Sequence, residues 1–182
     1  MVMGSYFQTL STEELTEESK GKGRANSEIA NARFTRCLMS SEPTTNTTIK
    51  TDIVKRLTGR DPINARQLYG EAFVYMSQFT LYLQCNEVPK YSKLDDAIEK
   101  RSRYLEFPFQ FVQEADVKRD YQRPIKEHLK EDVKNDVRYR NGLLYLLFDN
   151  WFSTQGKLIM TEKAKNMHGE EMDLNNPLYE FL

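Results

Sequence analysis

Apolar residues fall into two kinds of pattern along this chain. Up to about residue 112, short β-prone runs alternate with short stretches of helical spacing. Phe34-Thr-Arg-Cys-Leu-Met-Ser40 reads as a strand and is closed by Ser41-Glu42-Pro43. Phe73-Val-Tyr-Met76 and Phe79-Thr-Leu-Tyr-Leu-Gln-Cys85 are two further runs. Only Ser77-Gln78 separates them, which predicts a hairpin although the turn lacks the favoured Asn-Gly chemistry. Tyr104-Leu-Glu-Phe107, stopped by Pro108, predicts a fourth strand. Helical signals lie between these runs. Ser11 and Glu14 have capping-box spacing, so a brief helix is expected from Thr12. Residues 27–32 read as a short helix, and residues 1–10 as the tail of an earlier element. Ile49, Ile53, Val54 and Leu57 share one helical face, with Gly59 where a C′ glycine would end the helix.

After Pro108 the pattern changes. Tyr121, Ile125, Leu129 and Val133 recur every four residues on a charged background, which predicts an amphipathic helix with Pro124 near its start. Residues 142–152 are the most apolar stretch and predict a buried helix. Lys157 to Met160 is a short apolar run. The segment Asn175-Asn-Pro-Leu-Tyr-Glu-Phe-Leu182 offers an Asn cap with Pro at the first helical position. The expected architecture is an α/β piece over residues 1–112 followed by a small helical unit over 113–182.

Composition narrows the function classes. A chain of 182 residues fits one domain, or one with an appendage. Its 39% apolar and 29% charged residues suit a water-soluble protein with a real core. The formal net charge of −1 gives no bulk field for nucleic acid or membrane, so any such contact must be local. No apolar run approaches the ~20 residues that span a bilayer. The opening Met-Val-Met-Gly-Ser-Tyr-Phe lacks signal-peptide features, and Val2 stands where myristoylation needs Gly. Cys37 and Cys85 both lie in apolar runs and read as buried, reduced, intracellular thiols. His128 and His168 have no partners at zinc-ligand spacing, and no Gly-x-Ser-x-Gly elbow occurs. No Gly-x-x-x-x-Gly-Lys-Ser/Thr phosphate loop occurs either.

The candidate chemistry sits at the ends of the predicted strands. Asn86 follows the run 79–85, and Pro89 closes the turn after it. Twelve residues beyond Pro89 stands Arg101, in Asp95-Asp-Ala-Ile-Glu-Lys-Arg-Ser-Arg103. Some nucleotide-hydrolysing sheets bring a polar sensor and an arginine to a phosphate in this order. Glu42 ends another strand. A lone Glu there is usually a surface residue, but strand ends in open α/β sheets are also where ligands bind. Lys50, Lys55, Arg56 and Arg60 gather on one helix and its exit, with Arg66 beyond. They read either as a solvated face or as phosphate contacts. The Gly- and cation-rich residues 19–26 read either as a connector or as a loop over phosphate or nucleic acid.

Four stretches in order resemble the superfamily 3 helicase domain. They are Arg36…Ser41-Glu42-Pro43, Lys55-Arg-Leu-Thr-Gly59-Arg-Asp61-Pro-Ile-Asn-Ala-Arg66-Gln-Leu-Tyr69, Phe79-Thr-Leu-Tyr-Leu-Gln-Cys-Asn86-Glu-Val-Pro89 and Asp95 to Phe109. The resemblance is to the primase–helicase of poxviruses and giant DNA viruses, also found in phage and plasmid primases, and covers roughly residues 1–112. It implies part of an AAA+-like three-layer P-loop NTPase sheet, followed by a helical unit with a winged-helix arrangement as one option. Strands are then expected near 35–40, 72–76, 79–85 and 104–107. The resemblance makes Glu42 the Walker B acid that polarises water and helps hold Mg²⁺, with Ser41 where the family often has a second acid. Asn86 resembles the sensor, and Arg101 the arginine finger that acts in trans on a neighbour's ATP, with Arg103 as runner-up. Lys55, Arg60 and Arg66 fall in the segment that carries the family's central-pore DNA contacts.

The resemblance therefore implies ATP and Mg²⁺ as cofactors, single-stranded or forked DNA as partner, a hexameric ring and an intracellular viral or phage replication site. Met3-Gly-Ser-Tyr-Phe7 is similar to the family's segment just after its Walker A helix. The Walker A loop is expected upstream of Met1, in cis or from a partner, and this chain by itself should bind ATP poorly. The alternative is a non-catalytic oligomerisation or DNA-binding module without a phosphate loop.

Overall fold

β-Prone tetrads become strands here where a neighbour can satisfy their backbone and an apolar layer can cover one face. The computed structural model describes residues 3–16, 26–41, 48–93, 95–157 and 159–174. In chain order the elements are β1 (Phe7–Leu10), α1 (Ser27–Asn31), β2 (Cys37–Ser40), β3 (Thr48–Ile49), α2 (Thr51–Thr58), β4 (Pro62–Arg66), β5 (Ala72–Met76), β6 (Thr80–Leu83), β7 (Lys90–Tyr91) and α3 (Asp96–Arg101). They continue as β8 (Gln110–Val112), β9 (Gln122–Pro124), α4 (Leu129–Asn135), α5 (Val137–Thr154) and α6 (Glu162–Leu174). The fold is mixed α/β with small sheets. Two units divide it: Met3–Arg103 together with residues from His168 on, and Tyr104–Met167.

In the first unit, β1, β2 and β6 form a three-stranded parallel sheet in that order. β2 is central, with Leu10 opposite Ser40 on one side and Ser40 opposite Leu83 on the other. Leu38 and Ser40 are fully buried. The core joins Leu10, Leu15, Ile29, Ala30, Leu38, Ile49, Leu57, Ile63 and Tyr75. Residues 7–10, expected only as the tail of an earlier element, are therefore a sheet strand. The helix expected from Thr12 is a single 3₁₀ turn, Thr12–Leu15, without a side-chain cap. Instead the Ser11 amide donates to Glu28 of α1 at 2.6 Å.

The hairpin lies one strand earlier than expected. β5 pairs antiparallel with β4, Pro62 opposite Met76 and Arg66 opposite Ala72. The alternation in β4, with Ile63 and Ala65 buried between exposed neighbours, drives that pairing. The run after Ser77-Gln78 pairs instead with β2, in parallel, so it cannot fold back on β5.

Helix α2 forms as expected, though Ile49 belongs to β3. Gly59 does not supply a left-handed turn: its φ is −83°, and the positive φ of 59° falls on Arg60. Space, not torsion, requires glycine at this position. An added Cβ would lie 2.6 Å from the Lys55 carbonyl and 2.8 Å from Asp61 Oδ2. Gly59→Ala is expected to lower stability by about 2 kcal/mol, read from the urea midpoint.

In the second unit residues 104–107, expected to be a strand, belong to none of the strands among the described residues. The strand is β8, paired in parallel with β9. The amphipathic helix expected from Tyr121 is cut short because Pro124 ends β9 and His128 takes a left-handed φ of 62°. Only residues 129–135 are helical. α5 forms as predicted and is capped by Asp136, which accepts from the Arg138 amide at 2.8 Å. The expectation that it is buried fails: Leu146 is 63%, Trp151 61% and Phe152 74% exposed. The residues expected to form the final capped helix, 175–182, lie outside the described residues. So do most of the Gly- and cation-rich residues 19–26.

Candidate functional site

Parallel pairing puts the C-terminal ends of β1, β2 and β6 on one rim, and such rims are where open α/β sheets bind ligands. Ser41 leaves β2 from this rim, and its carbonyl accepts from Thr12 Oγ1 at 2.7 Å. Gln84 leaves β6 beside it, donating its amide to the Ser40 carbonyl at 3.2 Å. Glu42 itself lies outside the described residues. Asn86 stands three residues beyond β6 and is exposed. Cys85, expected to be buried, is exposed too, because the strand ends at Leu83 and the chain leaves the sheet before reaching it. Cys37 is half-buried, and burial pushes its thiol pKa up.

Arg101 ends α3, and that helix is anchored at two points. Ile98 is fully buried on its inner face. Asp95 caps its N-terminus, its Oδ1 accepting from the amides of Ala97 at 3.1 Å and Ile98 at 3.2 Å. Asp95 Oδ2 accepts from the ammonium of Lys55 on α2. That hydrogen bond is the main reason the Asp95 carboxyl is held below its ordinary pKa; burial opposes it, and the two amides add to it. Lys55, a candidate DNA contact, is thus bonded to the cap of the helix that carries Arg101. Arg101 and Arg103 are exposed at the other end. Arg101 Nη1 donates to the Ala97 carbonyl at 2.9 Å, and Arg103 Nη1 to the Lys100 carbonyl at 3.2 Å, the usual way cations satisfy a helix C-terminus.

The lowered pKa sets a pH dependence. A depressed folded pKa adds stability above the unfolded carboxylate value, and that stability is lost as pH falls through the folded pKa. Asp95→Asn is expected to lower the urea midpoint at neutral pH. The difference from the parent chain should vanish as pH falls below the folded pKa.

The turn end of the β4–β5 hairpin is tied to α1 and to Asn26 just before it. Asn26 Oδ1 accepts from the Arg66 amide at 2.9 Å, Ser27 Oγ from the Leu68 amide at 3.2 Å, and Asn31 Oδ1 from Gln67 Nε2 at 3.0 Å. The Tyr75 hydroxyl donates to the Ile29 carbonyl at 2.6 Å, and its burial pushes its pKa up to about 12. The side chains of this turn are nonetheless exposed. Leu68 is 64% and Tyr69 99% exposed, and Tyr69 takes a left-handed φ of 62°. Arg66 and Arg60 lie on the exposed surface at the two ends of β4. Sequence reasoning passed over the tip because it set the hairpin at 73–85; the signal was Leu-Tyr-Gly between two alternating runs. It also passed over Asp95, whose signal was an Asp ahead of a short helical run.

No group of three or more His, Cys, Asp or Glu that could hold a metal occurs among the described residues. No helix among them is long and apolar enough to cross a membrane.

No protein-family model matches the chain. Three viral proteins are similar to it. "Putative helicase L207/L206" of Acanthamoeba polyphaga mimivirus is 28% identical over 121 residues, 66% of this chain and 13% of that protein. "Putative helicase V13" of Sputnik virophage is 25% identical over 153 residues, 80% of this chain and 19% of that protein. "Putative helicase 022R" of Frog virus 3 (isolate Goorha) is 31% identical over 115 residues, 61% of this chain and 12% of that protein. The chain has distant viral helicase-like relatives. It spans less than a fifth of the length of each of them. The helicase-like similarity extends over most of this chain in the virophage relative, whose 153 matched residues exceed the length of either unit.

Proposed function

We propose that this chain is the part of an ATP-dependent DNA helicase that follows the phosphate loop, of the superfamily 3 primase–helicase type. The observation that carries the reading is the parallel sheet, from one rim of which Ser41, before Glu42 in sequence, and Gln84, two residues before Asn86, leave neighbouring strands. The capped helix that ends in Arg101 and the exposed β4–β5 hairpin support it. In this reading Glu42 orients the attacking water, Asn86 positions it, and Arg101, with Arg103 beside it, offsets charge that develops on the phosphoryl group of a neighbouring subunit's nucleotide. Arg60, Arg66 and the hairpin tip face single-stranded or forked DNA in a ring, at a viral replication site.

The exposed guanidinium groups fit a polyphosphate, and ATP would supply the phosphoryl group; Glu42, which would help hold Mg²⁺, lies outside the described residues. The phosphate cradle comes from a segment outside this chain.

The test is ATP turnover on single-stranded DNA by the complete gene product, or by this chain complemented with a phosphate-loop segment. Glu42→Gln is expected to lower kcat at least about 100-fold with nucleotide binding retained. Unchanged turnover in both Glu42→Gln and Arg101→Ala overturns the proposal. The exposed apolar α5 favours a second reading, a non-catalytic assembly module. That reading expects self-association and DNA binding that nucleotide does not alter.

A further inference from the structure

The small sheet of the second unit has an aromatic face. β8 and β9 pair in parallel with Phe111 opposite Arg123, and the Gln110 amide donates to the Tyr121 carbonyl at 3.0 Å. Side chains alternate along a strand, so Phe109, Phe111, Tyr121 and Arg123 share one face, while Gln110, Val112, Gln122 and Pro124 share the other. On the second face Gln122 Nε2 donates to Gln110 Oε1 at 3.0 Å. The first is open, with Phe109 50%, Phe111 63% and Tyr121 41% exposed.

Arg123 is stacked on that face, and Arg119 sits at its edge, donating to the Tyr121 hydroxyl. The Arg123 guanidinium lies 4.3 Å from the Phe109 ring centroid, and Arg119 lies 5.8 Å from that of Tyr121. Arg123 Nη1 donates to the carbonyls of Asp120 at 2.6 Å and Gln122 at 2.8 Å, which fixes its plane. No carboxylate occupies a register position on this face. Glu114, Asp116 and Asp120 lie in the connection between the strands, and Glu106 is paired with Lys163 at 3.1 Å.

We propose that this face binds single-stranded nucleic acid by stacking bases on Phe109, Phe111 and Tyr121, with Arg119 and Arg123 meeting phosphates. Aromatic rings two residues apart along a strand are spaced by about 6.6 Å, a distance an extended polynucleotide matches with successive bases. Every base presents a π-face, so such a platform is tolerant of sequence, and guanidinium planes stack on bases as well as on rings. Two arginines lie among three exposed rings here, the combination of cations and π-faces that meets phosphates and bases. The proposal does not rest on ATP hydrolysis at the rim of the first unit.

The test uses the full chain and fluorescence anisotropy with two labelled probes of equal length, an oligothymidylate and its abasic counterpart. The abasic strand is expected to bind about tenfold more weakly. Phe111→Ala should weaken oligothymidylate binding by about tenfold and leave abasic binding unchanged. Arg123→Gln should weaken both. Phe111→Leu keeps an apolar side chain without a π-face, so it should reproduce the Phe111→Ala loss if the alanine variant folds poorly; Phe111→Trp should retain binding. Circular dichroism and the urea midpoint of each variant check the fold. Equal affinity for the two probes overturns the proposal. So does unchanged affinity in Phe109→Ala and Phe111→Ala, or a loss confined to the hairpin variant Tyr69→Ala.

Discussion

On the proposed helicase reading, Arg101→Ala is expected to lower ATP turnover by the complete gene product about 10³-fold, with little change in KM. The size follows from where the group acts. An arginine that meets charge present only in the transition state removes rate without removing ground-state binding when it is lost. The substitution is well suited to isolate that effect. Arg101 is exposed, and its described hydrogen bond goes to the Ala97 carbonyl of its own helix. α3 is held instead by Asp95, Lys55 and Ile98. Fold and assembly should therefore survive, as the urea midpoint and sedimentation would check. Arg101→Lys should restore little, because an ammonium lacks the planar fork that grips two phosphate oxygens. Arg103→Ala should cost less than Arg101→Ala. The reverse order would exchange their roles, and no loss in either would remove both from the chemistry. If the proposed ring forms, mixing Arg101→Ala with Glu42→Gln subunits distinguishes action in trans, since mixed rings would pair an intact Arg101 with an intact Glu42 at only some interfaces.

Leu38→Ala is expected to destabilise the first unit by about 3 kcal/mol, read from urea unfolding of the chain. Leu38 is fully buried in the central strand, between Gln8 of β1 and Leu81 of β6 in the register. Removing its isobutyl group leaves a cavity that two flanking strands cannot close without breaking their pairing. Tyr82 on β6 is 46% exposed, so Tyr82→Ala should cost about 1 kcal/mol or less. A loss at Leu38 no larger than that at Tyr82 would mean that β2 is not the centre of the core.

The local elements most legible in the sequence were those whose own residues decide them. The helix at 51–58 follows from apolar spacing, and the short helix at 27–31 forms where one was expected. The long helix at 137–154 contains a dense run of helix-compatible apolar residues. The strand ends were legible only roughly: Ser41 and Gln84 leave adjacent strands together, but β6 stops at Leu83, before Cys85 and Asn86, and Glu42 lies outside the described residues. What failed was pairing. Two β-prone runs flanking Ser77-Gln78 look like a hairpin, yet β5 turns back to β4 and β6 joins β2, more than forty residues away in sequence. Pro124 was read as the start of a helix, but its fixed φ and missing N–H serve equally at a strand end.

By itself the sequence determined which segments are apolar and in what period, where chain direction must change, and which polar groups follow strands. These are properties of a residue and its near neighbours, so they survive without knowledge of the fold. Tertiary structure alone decided the strand order β1-β2-β6, the bond between Lys55 and Asp95, and the exposure of Tyr69 and α5. Each depends on which distant segment supplies a partner. A backbone amide, a carboxylate or an apolar face is satisfied by whatever the rest of the chain brings to it, and nothing within a few residues records that choice.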